Sequence, residues 1–175
     1  PILSTASIRE VQVTLDGPQG IHDARRPLKG GQGTFANIVS GIDAALEAGI
    51  HVKLRVVLDR DNLNTLPELA ALAINKGWTD NLNFKTQLGR NYELHYCQSQ
   101  QSRLYSRLEL YKDLFNLIRE FPDLLKFHKP AYSLSRFLFE NDELPDPLFD
   151  SCPGCKTEWA FDYTGRIYSC TATVG

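Results

Sequence analysis

The sequence has no methionine, only two tryptophans and only four cysteines. Without a methionine, Pro1 does not read as a translation start, and the end at Val174-Gly175, soon after Cys170, reads as equally abrupt, so a piece of a longer chain is expected. There is no charge excess: 19 Lys and Arg stand against 21 Asp and Glu, for a formal net charge of −2 and a pI near 6.1. That leaves no electrostatic case for nucleic acid, whose phosphates ask for a basic excess or stripe. No apolar run approaches the roughly 20 residues of a membrane-spanning helix, and no signal peptide opens the chain. Neither nucleic acid nor membrane is therefore expected as a partner, and a cytoplasmic location is the default.

What is present is ordinary globular composition, 42% hydrophobic and 23% charged over 175 residues, enough for one domain with a real core. The organising pattern is a two-faced strand. In Val11-Gln12-Val13-Thr14-Leu15-Asp16-Gly17-Pro18, the apolar residues Val11, Val13 and Leu15 alternate with Gln12, Thr14 and Asp16 before a Gly-Pro turn. The pattern returns over His51–Leu58, where Val52, Leu54, Val56 and Leu58 oppose Lys53 and Arg55. It returns again over Leu82–Leu88, where Asn83, Lys85 and Gln87 share the polar side.

Between the strands lie helix patterns. Thr34 offers an N-cap to a helix over about 35–48, with Ile38, Val39, Ile42, Ala45 and Leu46 at helical spacing and Gly49 as the stop. Thr65 and Glu68 read as a capping box before Leu69, Ala70, Ala73 and Ile74, with Gly77 ending that helix. A longer helix is expected over about 101–121, its stripe being Leu104, Leu108, Tyr111, Phe115 and Ile118, and a short one over 130–140 with Leu134, Phe137 and Leu138 on one side. Residues 17–33, rich in glycine and basic side chains, read as a long loop, either functional or a mobile surface segment.

The order β-α-β-α-β-α implies parallel strands with helices outside. Strands covered on both faces read as continuous apolar runs, and these do not. A barrel, or an arc of one, with a polar lumen suits them, the other reading being a half-exposed sheet. Barrel chemistry sits at the C-terminal strand ends. Here those positions are Thr14, Asp16 and Gly17; Asp59, Asp61 and Asn62; and Gln87, Gly89 and Arg90. Each is also ordinary turn or cap chemistry.

The last segment changes character. Residues 159–163 and 166–169 read as a hairpin turning at Thr164-Gly165, which returns Cys170 toward Cys152 and Cys155. Three clustered thiolates without a secretory signal favour a metal, zinc or an iron–sulfur cluster, over a disulfide. Cys97 fits no ligand motif and reads as a loop or core thiol.

These residues carry a resemblance. Val13-Thr14-Leu15-Asp16-Gly17-Pro18, His22-Asp23-Ala24-Arg25-Arg26, Gly33-Thr34-Phe35 and the run from Arg55-Val56 to Asn62 are similar to the core of radical S-adenosylmethionine enzymes of the SPASM type, which include sulfatase-maturing enzymes and peptide-modifying maturases. Cys155, nine residues, Gly165, four residues and Cys170 resemble the opening of a SPASM segment. The resemblance implies an α/β fold: a partial TIM-like (β/α) barrel over 1–128, a short helix and linker over 129–150, and a truncated Cys-rich segment over 151–175. It implies an oxidoreductase that modifies a peptide or protein through a 5′-deoxyadenosyl radical formed from S-adenosylmethionine at a 4Fe–4S cluster, with a flavodoxin or ferredoxin as electron donor.

Carried over by position, Thr14, Asp16, Arg55, Asn62 and Leu88 would line the S-adenosylmethionine site. Cys152, Cys155 and Cys170 would hold an auxiliary cluster, or zinc in its place. The family's CxxxCxxC motif is not in this sequence, since no cysteine precedes Cys97. The chain alone is therefore expected to be inactive. An alternative of another class is a non-catalytic barrel-like domain with structural zinc at Cys152, Cys155 and Cys170. An open strand edge at 11–16 is further expected to favour self-association.

Overall fold

The computed structural model describes residues 10–91, 103–129, 142, 160–161 and 165–168. All four cysteines lie outside these residues, as do the expected helix over 130–140 and nearly all of the expected linker. The chain forms two units, Pro1–Pro130 and Ala131–Gly175.

The first unit is built on a parallel sheet of three strands, β1 (Val11–Thr14), β2 (Val52–Leu58) and β3 (Phe84–Arg90), in the order β1-β2-β3. Val13 stands opposite Leu54 and Thr14 opposite Arg55; Leu54 in turn stands opposite Thr86, and Arg55 opposite Gln87. The alternation read from the sequence is realised on β2, where Val52, Leu54, Val56 and Leu58 are buried and the residues between them half-buried. The strands are joined by α1 (Gln19–Arg25), α2 (Phe35–Glu47) and α3 (Leu66–Asn75), and followed by α4 (Arg107–Glu120) and α5 (Leu124–Phe127). One apolar core unites the buried strand face with Ile42, Ala45 and Leu46 of α2, Leu66, Leu69 and Ala73 of α3, Leu110, Leu114 and Leu117 of α4, and Leu124 and Phe127 of α5. Each fully buried leucine or valine contributes about 1.5–3 kcal/mol, so this core, shared by strands and helices, is the unit's main driving force. Gly49 (φ 73°) and Gly77 (φ 70°) end α2 and precede the turn after α3 in the left-handed conformation that glycine adopts without strain.

Four expectations need correction. Residues 17–33 are not one long loop. Seven of them form α1, which the sequence hides because it buries no apolar stripe; its buried residue is His22. β3 runs to Arg90 rather than ending at Leu88, and Leu82, expected in the strand, is 99% exposed. Thr65 and Glu68 form no capping box: the Thr65 hydroxyl donates to the Asn62 carbonyl at 2.8 Å. The real box is at α4, where Ser106 Oγ accepts from Glu109 N–H and Glu109 Oε2 accepts from Ser106 N–H at 2.9 Å.

The face of α4 is the fourth. Leu108 and Phe115 of the expected stripe are 80% and 61% exposed, while Leu110, Leu114 and Leu117 are buried. The helix carries two apolar stripes, and periodicity gives no reason to choose between them; the sheet chooses.

In the second unit, β4 (Ala160–Phe161) pairs antiparallel with β5 (Ile167–Tyr168), and Gly165 (φ 83°) stands between them.

Candidate functional site

Because the strands are parallel, the chain leaves all three at one edge of the sheet. Asp16 follows β1, Asp59 follows β2 directly and Asn91 follows β3 directly. These residues and α1 make a buried polar cluster. Asp16 is 2% exposed and Asp59 fully buried, so each carboxylate needs full compensation. Asp16 receives it from Arg26 Nε at 2.7 Å and Val57 N–H at 3.1 Å, with Arg25 Nε at 3.5 Å. Asp59 is held by both ends of the Arg25 fork at 3.1 and 2.9 Å, by Asn91 Nδ2 at 3.1 Å and by Asp61 N–H at 3.1 Å. Burial pushes the Asp59 pKa up, but the Arg25, Asn91 and Asp61 bonds outweigh it and hold the carboxyl below its ordinary range. Arg25 thus bridges the ends of β1 and β2, and Asn91 adds the end of β3.

Asn62 uses its whole amide in the same way. Nδ2 donates to the Asp16 and Val57 carbonyls at 2.7 and 2.9 Å, and Oδ1 accepts from Asp59 N–H at 2.8 Å. Asp16 and Asn62, both expected to line a cofactor site, therefore have their polar atoms engaged by the protein itself.

His22 closes the segment after β1. Asp16 N–H can only donate, so His22 Nδ1 accepts it at 3.2 Å and the ring proton sits on Nε2. Nε2–H meets Thr34 Oγ1 at 3.0 Å, and that hydroxyl donates on to the Arg26 carbonyl at 2.9 Å. Burial lowers the His22 pKa and outweighs the opposing pull of Asp16 and Asp23.

Thr34 is therefore not the side-chain cap that the sequence suggested. Asp23 Oδ1 takes that role, accepting from Thr34 N–H and Phe35 N–H at 2.8 Å each. The Phe35 N–H bond is the main reason the Asp23 carboxyl lies below its ordinary range. A Cβ on Gly33 would overlap that carboxylate, which explains the glycine before Thr34. The motif spacing held one clue to this cluster: His22, Arg25 and Arg26 fall at i, i+3 and i+4, one face of a helix turn.

Thr14 and Arg55 are placed differently. They are register partners on the polar side of the sheet, in one row with Gln87. Lower on the same side, Glu10 pairs with Lys53 at 3.4 Å and with Lys85. Leu88 is the register partner of Val56 and packs on the apolar core, so its side chain faces away from Thr14 and Arg55. Gln12, Lys85 and Gln87 are exposed. Among the described residues, no three His, Cys, Asp or Glu side chains gather to hold a metal, and no helix is long and apolar enough to cross a membrane.

No family model matches the chain, and no solved structure matches it. Among curated proteins it is similar to the mycofactocin maturase MftC of Mycolicibacterium smegmatis, 33% identical over 112 residues that make up 61% of this chain and 28% of that protein. It is similar also to the mycofactocin maturase MftC of Mycobacterium ulcerans, 34% identical over 112 residues, 61% of this chain and 29% of that one. The matched stretch thus spans less than a third of the length of either relative.

Proposed function

We propose that this chain contributes the S-adenosylmethionine-facing strands of a radical S-adenosylmethionine maturase of the SPASM type, whose substrate is a peptide or protein. The observation that carries the reading is the row Thr14–Arg55–Gln87 on the polar side of a parallel sheet, of which Thr14 and Arg55 lie within the motifs that resemble that family. The likeness to two maturases supports it.

The residues divide by role. Thr14 offers a hydroxyl and Arg55 a guanidinium to the cofactor. The Arg55 Nε is buried without a hydrogen-bond partner among the described residues, which suits an anionic ligand group. Asp16 and Asn62 hold the ends of β1 and β2 in place, so they act on the site through the backbone. Leu88 contributes the backbone near the end of β3 rather than its side chain.

In the family, S-adenosylmethionine with a reduced 4Fe–4S cluster supplies the 5′-deoxyadenosyl radical that abstracts hydrogen from substrate. The donor set for that cluster does not fit this chain, whose four cysteines include no CxxxCxxC. The 175-residue chain by itself is inactive on this reading. Cys152, Cys155 and Cys170 hold an auxiliary iron–sulfur cluster, and the parent enzyme draws electrons from a flavodoxin or ferredoxin.

Metal analysis separates this reading from a structural zinc domain. After anaerobic purification and iron–sulfur reconstitution, the chain is expected to contain iron, with broad visible absorption lost on replacing Cys155 and Cys170 by serine. Stoichiometric zinc that survives reconstitution would favour the non-catalytic domain.

A further inference from the structure

Two surface features of the first unit are complementary in polarity and charge. One is the loop between α1 and α2, which is braced by its own backbone. Leu28 N–H donates to the Gln32 carbonyl at 2.9 Å, and Gly31 N–H donates to the Leu28 carbonyl at 2.8 Å. Thr34 Oγ1 closes the neck of the loop on the Arg26 carbonyl. Gly31 (φ 81°) makes the turn in a conformation that glycine adopts without strain. Polar bonds thus hold the loop in shape, and it presents Leu28, 51% exposed, with the exposed Lys29 beside it. A single exposed leucine is ordinary. One held out on a preordered loop loses little further freedom when a partner covers it.

The other is a hollow of about 450 Å³ between α3 and the turn from α4 to α5. Ala71 and Ile74 line it from α3, and Phe121 and Pro122 line it from the turn. Hollows of about 300–1,000 Å³ take ligand-sized groups. No lysine or arginine lines this one, whereas Glu120 and Asp123 do. Asp123 is tied to Lys126 at 2.9 Å. Neither Glu120 nor Lys29 has an ion pair among the described residues, and both are exposed.

We propose that the hollow receives the Leu28–Lys29 tip of a second copy of this chain. Leu28 is covered by Ala71, Ile74 and Phe121, and the Lys29 ammonium meets the Glu120 carboxylate. An apolar tip carrying a cation suits an apolar hollow carrying an acid. The two halves lie on different elements, so every copy offers both. Such a contact closes as a reciprocal pair or repeats head to tail. It is independent of the strand edge at 11–16 and of the cofactor reading.

Sedimentation of the full chain under reducing conditions, from about 10 μM to about 1 mM, measures the association. The wild type is expected to gain mass with concentration. Leu28→Asp weakens association at least about tenfold, because the covered leucine is lost. Ala71→Tyr, which fills the hollow, weakens it as much. Glu120→Lys weakens it about threefold, as reversal of an exposed ion pair does. All three positions are exposed, and circular dichroism checks that each variant is folded.

An equimolar mixture of Leu28→Asp and Ala71→Tyr is expected to associate again, into pairs, because the intact loop of one meets the intact hollow of the other. The proposal is overturned if the wild type stays monomeric throughout, if Leu28→Asp, Ala71→Tyr or Glu120→Lys alone associates as tightly as the wild type, or if the mixture remains monomeric.

Discussion

Asp59→Ala is expected to destabilise the first unit by about 3–5 kcal/mol, a large share of its stability. Breaking a buried ion pair by removing one partner costs about 3–5 kcal/mol, because the other charge stays buried without compensation. A domain of this size has about 5–15 kcal/mol in all. Asp59 is fully buried and satisfies both ends of the Arg25 fork, the Asn91 amide and the Asp61 N–H. Its removal orphans donors from the segments after β1, β2 and β3 together.

Arg103 Nη2, 3.8 Å from Asp59 Oδ2, offers no replacement acceptor, since it is itself a cation. Replacing both partners by apolar residues of similar size, Arg25→Met with Asp59→Leu, is expected to cost clearly less than the two single changes summed. Urea unfolding followed by circular dichroism measures all of these. A loss below about 1 kcal/mol for Asp59→Ala would mean that the cluster does not hold the strand ends together.

Stability is expected to fall in two stages as the solution is acidified. Burial lowers the His22 and His128 pKa values below the ordinary histidine value of 6.5. A histidine with a depressed folded-state pKa contributes stability that is complete above the unfolded value. That contribution is lost as pH falls through it toward the folded one. For His22 the physical event is specific: a proton on Nδ1 would face the Asp16 N–H that Nδ1 now accepts. Asp16 and Asp23 favour the charged ring, Arg25 and Arg26 oppose it, and burial decides. For His128 the neutral ring already carries its proton on Nδ1, donating to Thr86 Oγ1 at 2.9 Å, a hydroxyl committed to the Phe127 carbonyl, so acid adds its proton at Nε2.

The second stage belongs to Asp59 and Asp23, both held below the ordinary aspartate value of 3.8. Their stabilisation is present above that value and disappears below it. Asp59 adds at most about 1.4 kcal/mol per pH unit to the slope. The free energy of unfolding is therefore expected to be level just above pH 7, to decline from about pH 6.5, and to decline more steeply below about pH 4. His22→Gln should flatten the first decline and leave the second. A curve unchanged from pH 7.5 to 5 would contradict the assignment of His22 as neutral.

The sheet was legible in the sequence because a single rule governs it. With one face buried, Val52, Leu54, Val56 and Leu58 recur at every second position, with Lys53 and Arg55 between the first three. α2 and α3 were legible for the same reason at helical spacing. The cluster at the strand ends was not, because its logic is pairwise and long-range. Nothing local says that Arg25 will reach Asp59, or that Asp23 will cap a helix that begins at Phe35. α1 was hidden because it is held by polar bonds through His22 rather than by an apolar stripe. α4 was misread on its face because Leu108 and Phe115 offer as good a stripe as Leu110, Leu114 and Leu117. The motif residues could be recognised as a group, but the sequence did not separate Asp16 and Asn62, which hold the loops, from Thr14 and Arg55, which face outward.

Binding of S-adenosylmethionine to this chain tests the proposed function most directly. Equilibrium dialysis of labelled S-adenosylmethionine against the anaerobically reconstituted 175-residue chain is the measurement. The account predicts saturable binding at one site, weakened at least about tenfold by Arg55→Ala, since a hydrogen-bonded charge contributes about 1.5–3 kcal/mol. It predicts unchanged binding for Lys76→Ala, whose partner Asp43 lies on α2. No saturable binding by folded wild-type chain, or equal binding by wild type and Arg55→Ala, would contradict it.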